Sequence, residues 1–253
     1  MQNRKDIILI TGAAGKIGFA LAEDLLKNGN KVLLGDINKK ELVKIKSKLN
    51  SKNLEIFSSD LTKKKQIDSF INFGLKKFKR IDAAVLCAYP KSIKWGTKFE
   101  NLSENNLKKD LHNQLGASII FCQRILKYFI KKQKGNLILM SSIQGVQAPK
   151  FDHYNNLNMA SPIEYSAIKS GIISITKYLS KYFRRKNIRV NCVSPGGIDD
   201  NQPKSFKARY KKSCNSKGLL DSKDISKTIL FLLSEESKYI NGQNIIVDDG
   251  WSL

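Results

Sequence analysis

Tyr165 and Lys169 are the two residues whose types and spacing most directly suggest chemistry. They are four residues apart, and on a helix this spacing places two side chains one turn apart on the same face. The preceding residues predict such a helix, because Ser161 is a favourable cap, Pro162 suits the first helical position and Glu164 lies three residues after the cap. The sequence therefore predicts a phenol beside an ammonium group.

A phenol and an ammonium group in this arrangement could transfer a proton at neutral pH. A free tyrosine has a pKa of about 10 and is almost wholly protonated there. Lowering that pKa by about 3 requires roughly 4 kcal/mol, which a close cation in a partly dry cleft can provide. Tyr165 would then act as a base toward an alcohol or as an acid toward a carbonyl, and Ser142 would hold the substrate oxygen. The same spacing is also typical of a core aromatic residue beside a surface lysine, so the interpretation depends on the surrounding motifs.

A glycine-rich segment, Thr11 to Gly18, follows the first apolar run and precedes an amphipathic helical pattern. Glycines allow the tight turn that brings a pyrophosphate to a helix N-terminus, where free N–H groups and the helix dipole favour anions. A simple strand-to-helix turn would not need three glycines at this spacing. The segment predicts a dinucleotide site, with contacts from Gly12, Gly15, Lys16, Ile17 and Gly18.

Asp36, which ends the second apolar run, bears on the choice of cofactor. Its carboxylate can accept hydrogen bonds from the adenosine ribose hydroxyls and would repel a 2′-phosphate. NAD is therefore predicted in preference to NADP. Two observations leave an alternative open: Asp36 could simply cap the following helix, and Lys39 and Lys40 lie nearby.

The elements that must position these residues alternate between strand and helix. Hydrophobic runs predict strands near 6–10, 31–35, 54–58, 81–87, 136–141, 188–193 and 244–247. Strands joined by helices pair in parallel through right-handed crossovers. The sequence predicts an α/β fold, a single-domain doubly wound Rossmann fold over residues 1–253, with a seven-stranded parallel sheet and helices on both faces. Ligands bind such sheets beyond the carboxyl ends of the strands.

Composition limits the classes of partner. The formal net charge is +23, but the lysines are spread over nearly every predicted helix, which favours a solvated surface over a nucleic-acid site. The four cysteines form no C-x-x-C pair and indicate a reducing compartment. The first apolar run is too short for a signal peptide, and no stretch approaches the roughly 20 apolar residues of a membrane span. We expect a cytoplasmic protein without a membrane partner. His112 and His153 lack a second ligand at metal spacing, so no metal site is predicted.

With these motifs in place, the chain resembles the short-chain dehydrogenase/reductase family over essentially its full length. The resemblance implies catalytic roles for Ser142, Tyr165 and Lys169, and an Asn113 that interrupts the long fourth helix and anchors a proton-relay water. It implies an oligomer, a homodimer or homotetramer. The further cofactor contacts that it implies are Asp60, Leu61, Ala88, Pro195, Gly196 and Ile198, in addition to Tyr165 and Lys169 themselves.

The chain departs from the family pattern in three places. Leu86-Cys87-Ala88-Tyr89 occupies the place of the usual Asn-Asn-Ala-Gly, and the Thr that usually follows the Pro-Gly loop has no clear counterpart. Ser142 and Tyr165 are 23 residues apart, which indicates an insertion around 151–159. Tyr154 stands at the usual distance from Ser142, but its fourth neighbour is Asn158, which cannot lower its pKa as an ammonium would. Tyr165 is therefore preferred.

The insertion, the segment 88–91 and the loop 199–203 together resemble a subgroup associated with bacterial flagellin modification and nonulosonate sugar synthesis. Substrate loops are expected at about 88–100, 143–162 and 196–220. That resemblance implies a polar substrate, namely a phosphorylated or nucleotide-linked sugar. Six side chains in these loops could attract an anionic sugar, although the general lysine excess explains most of them equally well. They are Lys91, Lys94, Lys150, His153, Lys204 and Lys207.

Three functions remain in view. The first is NAD(P)-dependent alcohol/carbonyl interconversion on a sugar. The second is reduction of a 3-oxoacyl group on a carrier protein, for which a basic surface would suit an acidic partner but Asp36 is unfavourable, because such reductions usually draw on NADPH. The third is a non-catalytic dinucleotide sensor or nucleic-acid-associated protein, which would have no need of Ser142, Tyr165 and Lys169.

Overall fold

A computed structural model describes residues 5–253. Seven strands form one parallel sheet in the order β3-β2-β1-β4-β5-β6-β7. The predicted doubly wound α/β fold is confirmed, and most predicted strand limits differ from the structure by only one or two residues. The strands are β1 (Ile7–Thr11), β2 (Lys31–Asp36), β3 (Leu54–Ser58), β4 (Ala83–Leu86), β5 (Gly135–Met140), β6 (Ile188–Pro195) and β7 (Asn244–Val247).

Eight α-helices connect or follow these strands in the described part of the chain. Between the fourth and the fifth, the backbone widens into a π-helical turn over Leu111–Gly116, which contains Asn113. The predicted interruption of a long helix therefore lies at that residue. The helices are α1 (Lys16–Lys27), α2 (Lys39–Leu49), α3 (Lys64–Phe78), α4 (Glu104–Asp110), α5 (Ala117–Lys132), α6 (Ile163–Tyr182), α7 (Lys204–Lys212) and α8 (Ser222–Leu233).

The sheet is buried on both faces, which explains why its strands are continuous apolar runs. Ile8, Ile10 and Val32 belong to one core cluster with residues of α1, α2 and α8. Leu9 and Leu33 belong to a second cluster with residues of α3, α5 and α6. The helices thus cover both faces, as the sequence predicts. No helix within residues 5–253 combines the length and apolar character that crossing a membrane requires.

The sheet order brings several chemically important residues to one edge. β1 pairs with β2 on one side and with β4 on the other, so the strand order reverses beside β1. Ligands of open α/β sheets bind outside the carboxyl ends of the strands at such a point. Thr11, Asp36, Leu86, Met140 and Pro195 each end a strand there.

Helix α1, which begins at the glycine-rich loop, is fixed by its contact with α8. Asp24 of α1 is only 6% exposed. Its carboxylate accepts hydrogen bonds from the Ser226 hydroxyl at 2.6 Å and from the Lys227 ammonium at 3.0 Å. These contacts join two helices that are distant in sequence, and they hold the last turn of α1 against α8.

Replacing Asp24 by alanine is expected to lower the free energy of unfolding by about 2 kcal/mol, because hydrogen bonds to charged groups contribute about 1.5–3 kcal/mol. Glu23→Ala is the matched control: its ion pairs with Lys27 and Lys223, at 3.3 and 3.6 Å, are more exposed, and such pairs contribute about 1 kcal/mol or less. Urea denaturation of both variants measures the difference. Equal losses would contradict this account.

The contribution of Asp24 should also depend on pH. Burial alone would raise the pKa of this carboxyl, but the hydrogen bonds from Ser226 and Lys227 lower it overall. A depressed pKa means that the stabilisation is complete above the ordinary Asp pKa and is lost as the pH falls through the folded value. The difference in unfolding free energy between the native chain and Asp24→Ala should therefore shrink in acid.

Candidate active site

The glycine-rich loop after β1 packs directly against the loop after β4. Gly12 has a φ of +63°, and a Cβ on it would lie 2.5 Å from the backbone of Ala88. A Cβ on Gly18 would lie 2.7 Å from the Gly12 carbonyl oxygen. Gly15 caps α1, whose first N–H groups have no acceptor within the helix. The loop therefore forms a glycine cradle into which an anion can approach the backbone closely.

A cavity of about 180 Å³, which we call the β2-side cavity, opens beside this loop. It collects most of the residues predicted to hold the adenosine part of a dinucleotide, together with Asn113 from the π-helical turn. Six predicted residues thus meet in one place. They are Gly12, Asp36, Asp60, Leu61, Ala88 and Asn113.

Asp36 is held by the backbone rather than used as a helix cap. Its Oδ2 accepts a hydrogen bond from the Ala14 N–H at 3.0 Å, and its Oδ1 accepts one from the Asn38 N–H at 2.9 Å. The cap of α2 is Asn38, whose side chain accepts from the Glu41 N–H. The alternative that Asp36 caps this helix is therefore wrong. Lys39 and Lys40 are exposed at the start of α2 and do not line the cavity.

A second space of about 470 Å³, which we call the central cleft, lies on the other side of Gly12. It runs from the glycine cradle to the start of α6 and the loop after β6. Ser142, Tyr165 and Lys169 all line it, although they come from two distant segments. The remaining predicted residues on its walls are Gly12, Gly15, Lys16, Ile17, Gly18, Pro195, Gly196 and Ile198.

Lys16 spans the central cleft by a contact that sequence reasoning did not anticipate. Its ammonium lies 2.8 Å from a carboxylate oxygen of Asp200 and donates a hydrogen bond to the Asp199 carbonyl at 2.7 Å. The side chain thus links the glycine cradle to the loop after β6. The only sequence signal was the pair of adjacent acids after Ile198.

Tyr165 and Lys169 lie together in the cleft, as the spacing predicts. The Lys169 side chain is 8% exposed; its ammonium donates to the Met140 carbonyl at 2.9 Å and lies 5.5 Å from the centre of the Tyr165 ring. Asn113 does not line this cleft, but its neighbour Gln114 and Lys169 both line a small void of about 10 Å³.

The electrostatic effect predicted for this pair is not found in the protein alone. Burial raises the pKa of Tyr165, and the neighbouring Ser142 hydroxyl offsets this only in part. Burial also lowers the pKa of Lys169 to about 8. The physical reason is that desolvation disfavours both charged forms, while the ammonium is directed at the Met140 carbonyl. The lowered phenol pKa expected from the sequence is therefore wrong for the unliganded chain.

The comparisons with known proteins can be set beside this geometry. A family model described as enoyl-(acyl carrier protein) reductase matches residues 12–252. The chain belongs to the short-chain dehydrogenase/reductase family.

Individual members of the family can be aligned with almost the whole chain. The chain is 41% identical to post-translational flagellin modification protein A of Campylobacter coli, over 98% of both proteins. It is 30% identical to 3-oxoacyl-(acyl-carrier-protein) reductase FabG of Thermotoga maritima, over 99% of both. Among solved structures, a short chain dehydrogenase from Leptospira borgpetersenii with bound NAD+ has a TM-score of 0.86 at 29% identity, covering 99% of this chain and 94% of that one.

The start of α6 differs from the sequence prediction. The helix begins at Ile163 with Pro162 as its cap residue, and no side chain caps it. Ser161 is not the cap, because its hydroxyl instead donates to the Gln144 Oε1 at 2.5 Å. The segment that precedes Tyr165 is therefore held by a hydrogen bond to Gln144 in the loop after β5.

Tyr154, the alternative tyrosine, lies in the inserted segment. It ends a short 3₁₀ helix over Phe151–Tyr154, and its hydroxyl accepts a hydrogen bond from the Gln144 side chain at 3.3 Å. It lines the central cleft, but its ring packs on Phe206 at 5.3 Å. Burial raises the pKa of Tyr154. The ammonium of Lys169 lies against Tyr165, which agrees with the preference for that residue.

Sequence reasoning missed the aromatic side chains around the cleft. The Tyr89 and Trp95 rings contact each other edge to face at 5.5 Å, and both contact the Tyr165 ring, at 5.6 and 5.9 Å. Trp251 reaches the cleft from the C-terminal segment. The one available signal was the tyrosine at position 89, where the family pattern has glycine.

The basic residues expected to attract an anion are mostly engaged elsewhere. The Lys150 ammonium donates to the Trp251 carbonyl at 3.1 Å, and Lys207 pairs with Asp199 at 2.7 Å. Of the six side chains predicted for this role, only His153 lines the central cleft. Its Nε2 lies 3.0 Å from the Ser213 hydroxyl, and burial lowers the pKa of the ring. No cluster of three potential metal ligands occurs within residues 5–253.

In the absence of ligands, the phenol of Tyr165 is expected to ionise above the ordinary tyrosine value of about 10, because burial disfavours phenolate. Subtracting the ultraviolet absorbance titration of Tyr165→Phe from that of the native chain isolates this group. The same subtraction for Tyr239, whose ring is 90% exposed, calibrates the signal of one phenol. A midpoint below the ordinary value would contradict the burial argument.

Proposed function

We propose that this short-chain dehydrogenase is an NAD-preferring oxidoreductase that interconverts an alcohol and a carbonyl on a polar sugar. The observation that carries the proposal is the meeting of Ser142, Tyr165 and Lys169 in a cleft that begins at the glycine cradle. A proton-transferring phenol, a hydroxyl donor and a dinucleotide site then share one space. A dinucleotide sensor would have no use for this arrangement.

The two cavities fit a nicotinamide dinucleotide. The glycine cradle would hold the pyrophosphate on the N–H groups that begin α1, and Asp36 would accept hydrogen bonds from the adenosine ribose. Ile198 and Pro195 line the far end of the cleft, where a nicotinamide ring would pack. Acceptance or donation of hydride is the chemistry that this cofactor supplies when bound. The contacts proposed at the adenine end are Asp60, Leu61 and Ala88.

Three side chains of this chain would move or stabilise the proton. Ser142 would donate a hydrogen bond to the substrate oxygen, and Tyr165 would exchange a proton with it. Lys169 would stabilise the phenolate that remains. The raised pKa of Tyr165 in the unliganded chain means that the phenol is protonated at neutral pH, which suits the donation of a proton to a carbonyl. Asn113 would support proton exchange from the π-helical turn.

A polar sugar suits the composition of the cleft. Gln144, Ser161 and Gln202 place amide and hydroxyl groups on its walls, which are hydrogen-bonded within the protein, and Trp95 and Trp251 provide aromatic faces. Such groups recognise the hydroxyls and the C–H surfaces of a sugar ring. The relative from Campylobacter coli, whose name concerns flagellin modification, supports a sugar destined for a surface glycan. Because few free lysines line the cleft, we propose that the part of the sugar that reacts is uncharged, and that any phosphate or nucleotide lies outside.

Assembly and location are part of the same proposal. Ile119, Ile130, Tyr178 and Tyr182 are between 42% and 67% exposed on α5 and α6, and exposed apolar residues on neighbouring helices favour association of identical chains. We propose a homodimer or homotetramer. Free thiols at Cys87, Cys122, Cys192 and Cys214 suit a reducing compartment, and hence the cytoplasm.

Reduction of a 3-oxoacyl group on a carrier protein is the second candidate. The 30% identity to the Thermotoga maritima reductase and the basic surface favour it. Asp36 in the β2-side cavity is unfavourable for the NADPH that such reductions usually use. Assaying acetoacetyl-carrier protein with NADPH and with NADH tests this candidate directly, and turnover faster than on any sugar would make it the main activity.

NAD is expected to bind at least about tenfold more tightly than NADP, a difference of about 1.4 kcal/mol, because the Asp36 carboxylate repels a 2′-phosphate. Quenching of Trp95 and Trp251 fluorescence, both at the central cleft, measures the two affinities. Asp36→Asn should narrow their ratio. Glu41→Gln, which changes a neighbouring acid outside the cavity, should leave it unchanged. Equal affinities in the native chain would remove the argument for NAD.

Tyr165→Phe is expected to reduce turnover by about 10²- to 10⁴-fold, the usual contribution of a general acid or base. The assay follows NADH formation during a screen of unmodified, phosphorylated and nucleotide-linked sugars. Tyr154→Phe is the matched control and should retain most of the activity. Undiminished turnover in Tyr165→Phe, with loss in Tyr154→Phe, would assign proton transfer to the inserted segment instead.

A further inference from the structure

The ammonium of Lys169 is surrounded by groups that compensate its burial. Besides the Met140 carbonyl at 2.9 Å, it faces two aromatic rings, with the ring centre of Tyr89 at 5.4 Å and that of Tyr165 at 5.5 Å. Both distances fall within the roughly 6 Å over which a ring attracts a cation. Tyr89 comes from the loop after β4, which contributes none of the groups assigned above to proton transfer.

Tyr89 is itself fixed on several sides. Its ring contacts the edges of Trp95 at 5.5 Å and of Tyr165 at 5.6 Å, and the Lys91 ammonium lies 4.9 Å from its centre. The side chain lines both the β2-side cavity and the central cleft. Because these contacts restrict the Tyr89 ring, the ring can in turn restrict the positions of Lys169 and Tyr165. The glycine that the family pattern has at this position could make none of these contacts.

We propose that Tyr89 is a positioning residue, whose ring keeps the Lys169 ammonium charged and beside Tyr165. The inference rests on the proposed function for its use, because Lys169 is assigned there to stabilise phenolate. Tyr89 neither donates nor accepts the transferred proton in this account. It acts through Lys169, and its ring contacts Trp95 edge to face at 5.5 Å.

The contact matters because Lys169 is close to losing its charge. Burial lowers its pKa to about 8, while the thiols of Cys87 and Cys192 oppose this change. The other groups facing the ammonium are the Tyr89 and Tyr165 rings and the Met140 carbonyl. Loss of one ring face from a desolvated cation is expected to lower its pKa by about one further unit. A larger fraction of the molecules would then carry neutral Lys169 at neutral pH.

Site-resolved chemical labelling measures this effect without cofactor or substrate. Trace acetylation of the native chain at a series of pH values, followed by mass spectrometry of the peptide containing Lys169, gives the midpoint at which that amine becomes reactive. Tyr89→Leu should move this midpoint about one pH unit lower. Tyr89→Phe keeps the ring and should leave it unchanged. The exposed Lys212 in the same samples corrects for changes in the reagent.

A second pair of variants allows the Lys169 midpoints to be compared even if one variant of the first pair does not fold. Tyr89→Trp retains an aromatic face and should behave like Tyr89→Phe, whereas Tyr89→Met lacks one and should behave like Tyr89→Leu. Thermal unfolding identifies which variants are folded. The proposal is overturned if the Lys169 midpoints of the folded variants do not follow the presence of a ring. The labelling experiment measures no turnover, so its failure would not contradict the proposed oxidoreductase activity. Equally, a substrate screen without a positive result would not contradict the measured role of Tyr89.

Discussion

A buried ammonium group is the constraint on which the site depends. Removing a charge from water is costly unless other groups replace the lost hydration, and Lys169 is only 8% exposed. Helix α6 carries the lysine, but compensation comes from elsewhere: from the Met140 carbonyl at the end of β5 and from the aromatic ring of Tyr89 after β4. Three separate segments of the fold therefore converge on this ammonium, and the same convergence places it beside the Tyr165 ring.

The parallel sheet produces this convergence because its strands all end at one edge. β4 lies between β1 and β5 in the sheet, so the loop that carries Ala88 and Tyr89 must pass between the glycine cradle and the end of β5. Gly12 permits that close passage, since any side chain there would collide with the Ala88 backbone. The same loop thus separates the β2-side cavity from the central cleft and contributes a wall to each. Binding of an extended dinucleotide and placement of the lysine are consequences of one packing arrangement.

The sequence predicts the fold well because strand and helix periodicities are local properties, and the sheet limits agree closely. Glycine spacing and the Tyr165–Lys169 interval are also local, so those residues are found together as expected. What failed depends on distant residues. The pKa of Tyr165 reflects burial by loops far away in sequence. Ser161 does not cap α6, because its hydroxyl bonds to Gln144 instead. The lysine partners and the aromatic contacts of Tyr89 likewise arise from segments whose proximity no pattern in the sequence encodes.

The insertion changes the surroundings of Tyr165 and Lys169, while both residues still line the central cleft. Tyr154 of the insertion and Ser161, which follows it, both bond to the Gln144 side chain, and the backbone N–H of Gln144 donates to the Ser142 hydroxyl at 3.2 Å. This connected wall lies between the central cleft and an outer groove of about 1000 Å³ that contains the exposed Phe151 ring. Because α6 still presents Tyr165 and Lys169 to the cleft, the longer loop changes the wall of the cleft and leaves the placement of this pair to the helix. The shape of the cleft wall and the placement of the Tyr165–Lys169 pair therefore belong to different segments, which meet at Ser142.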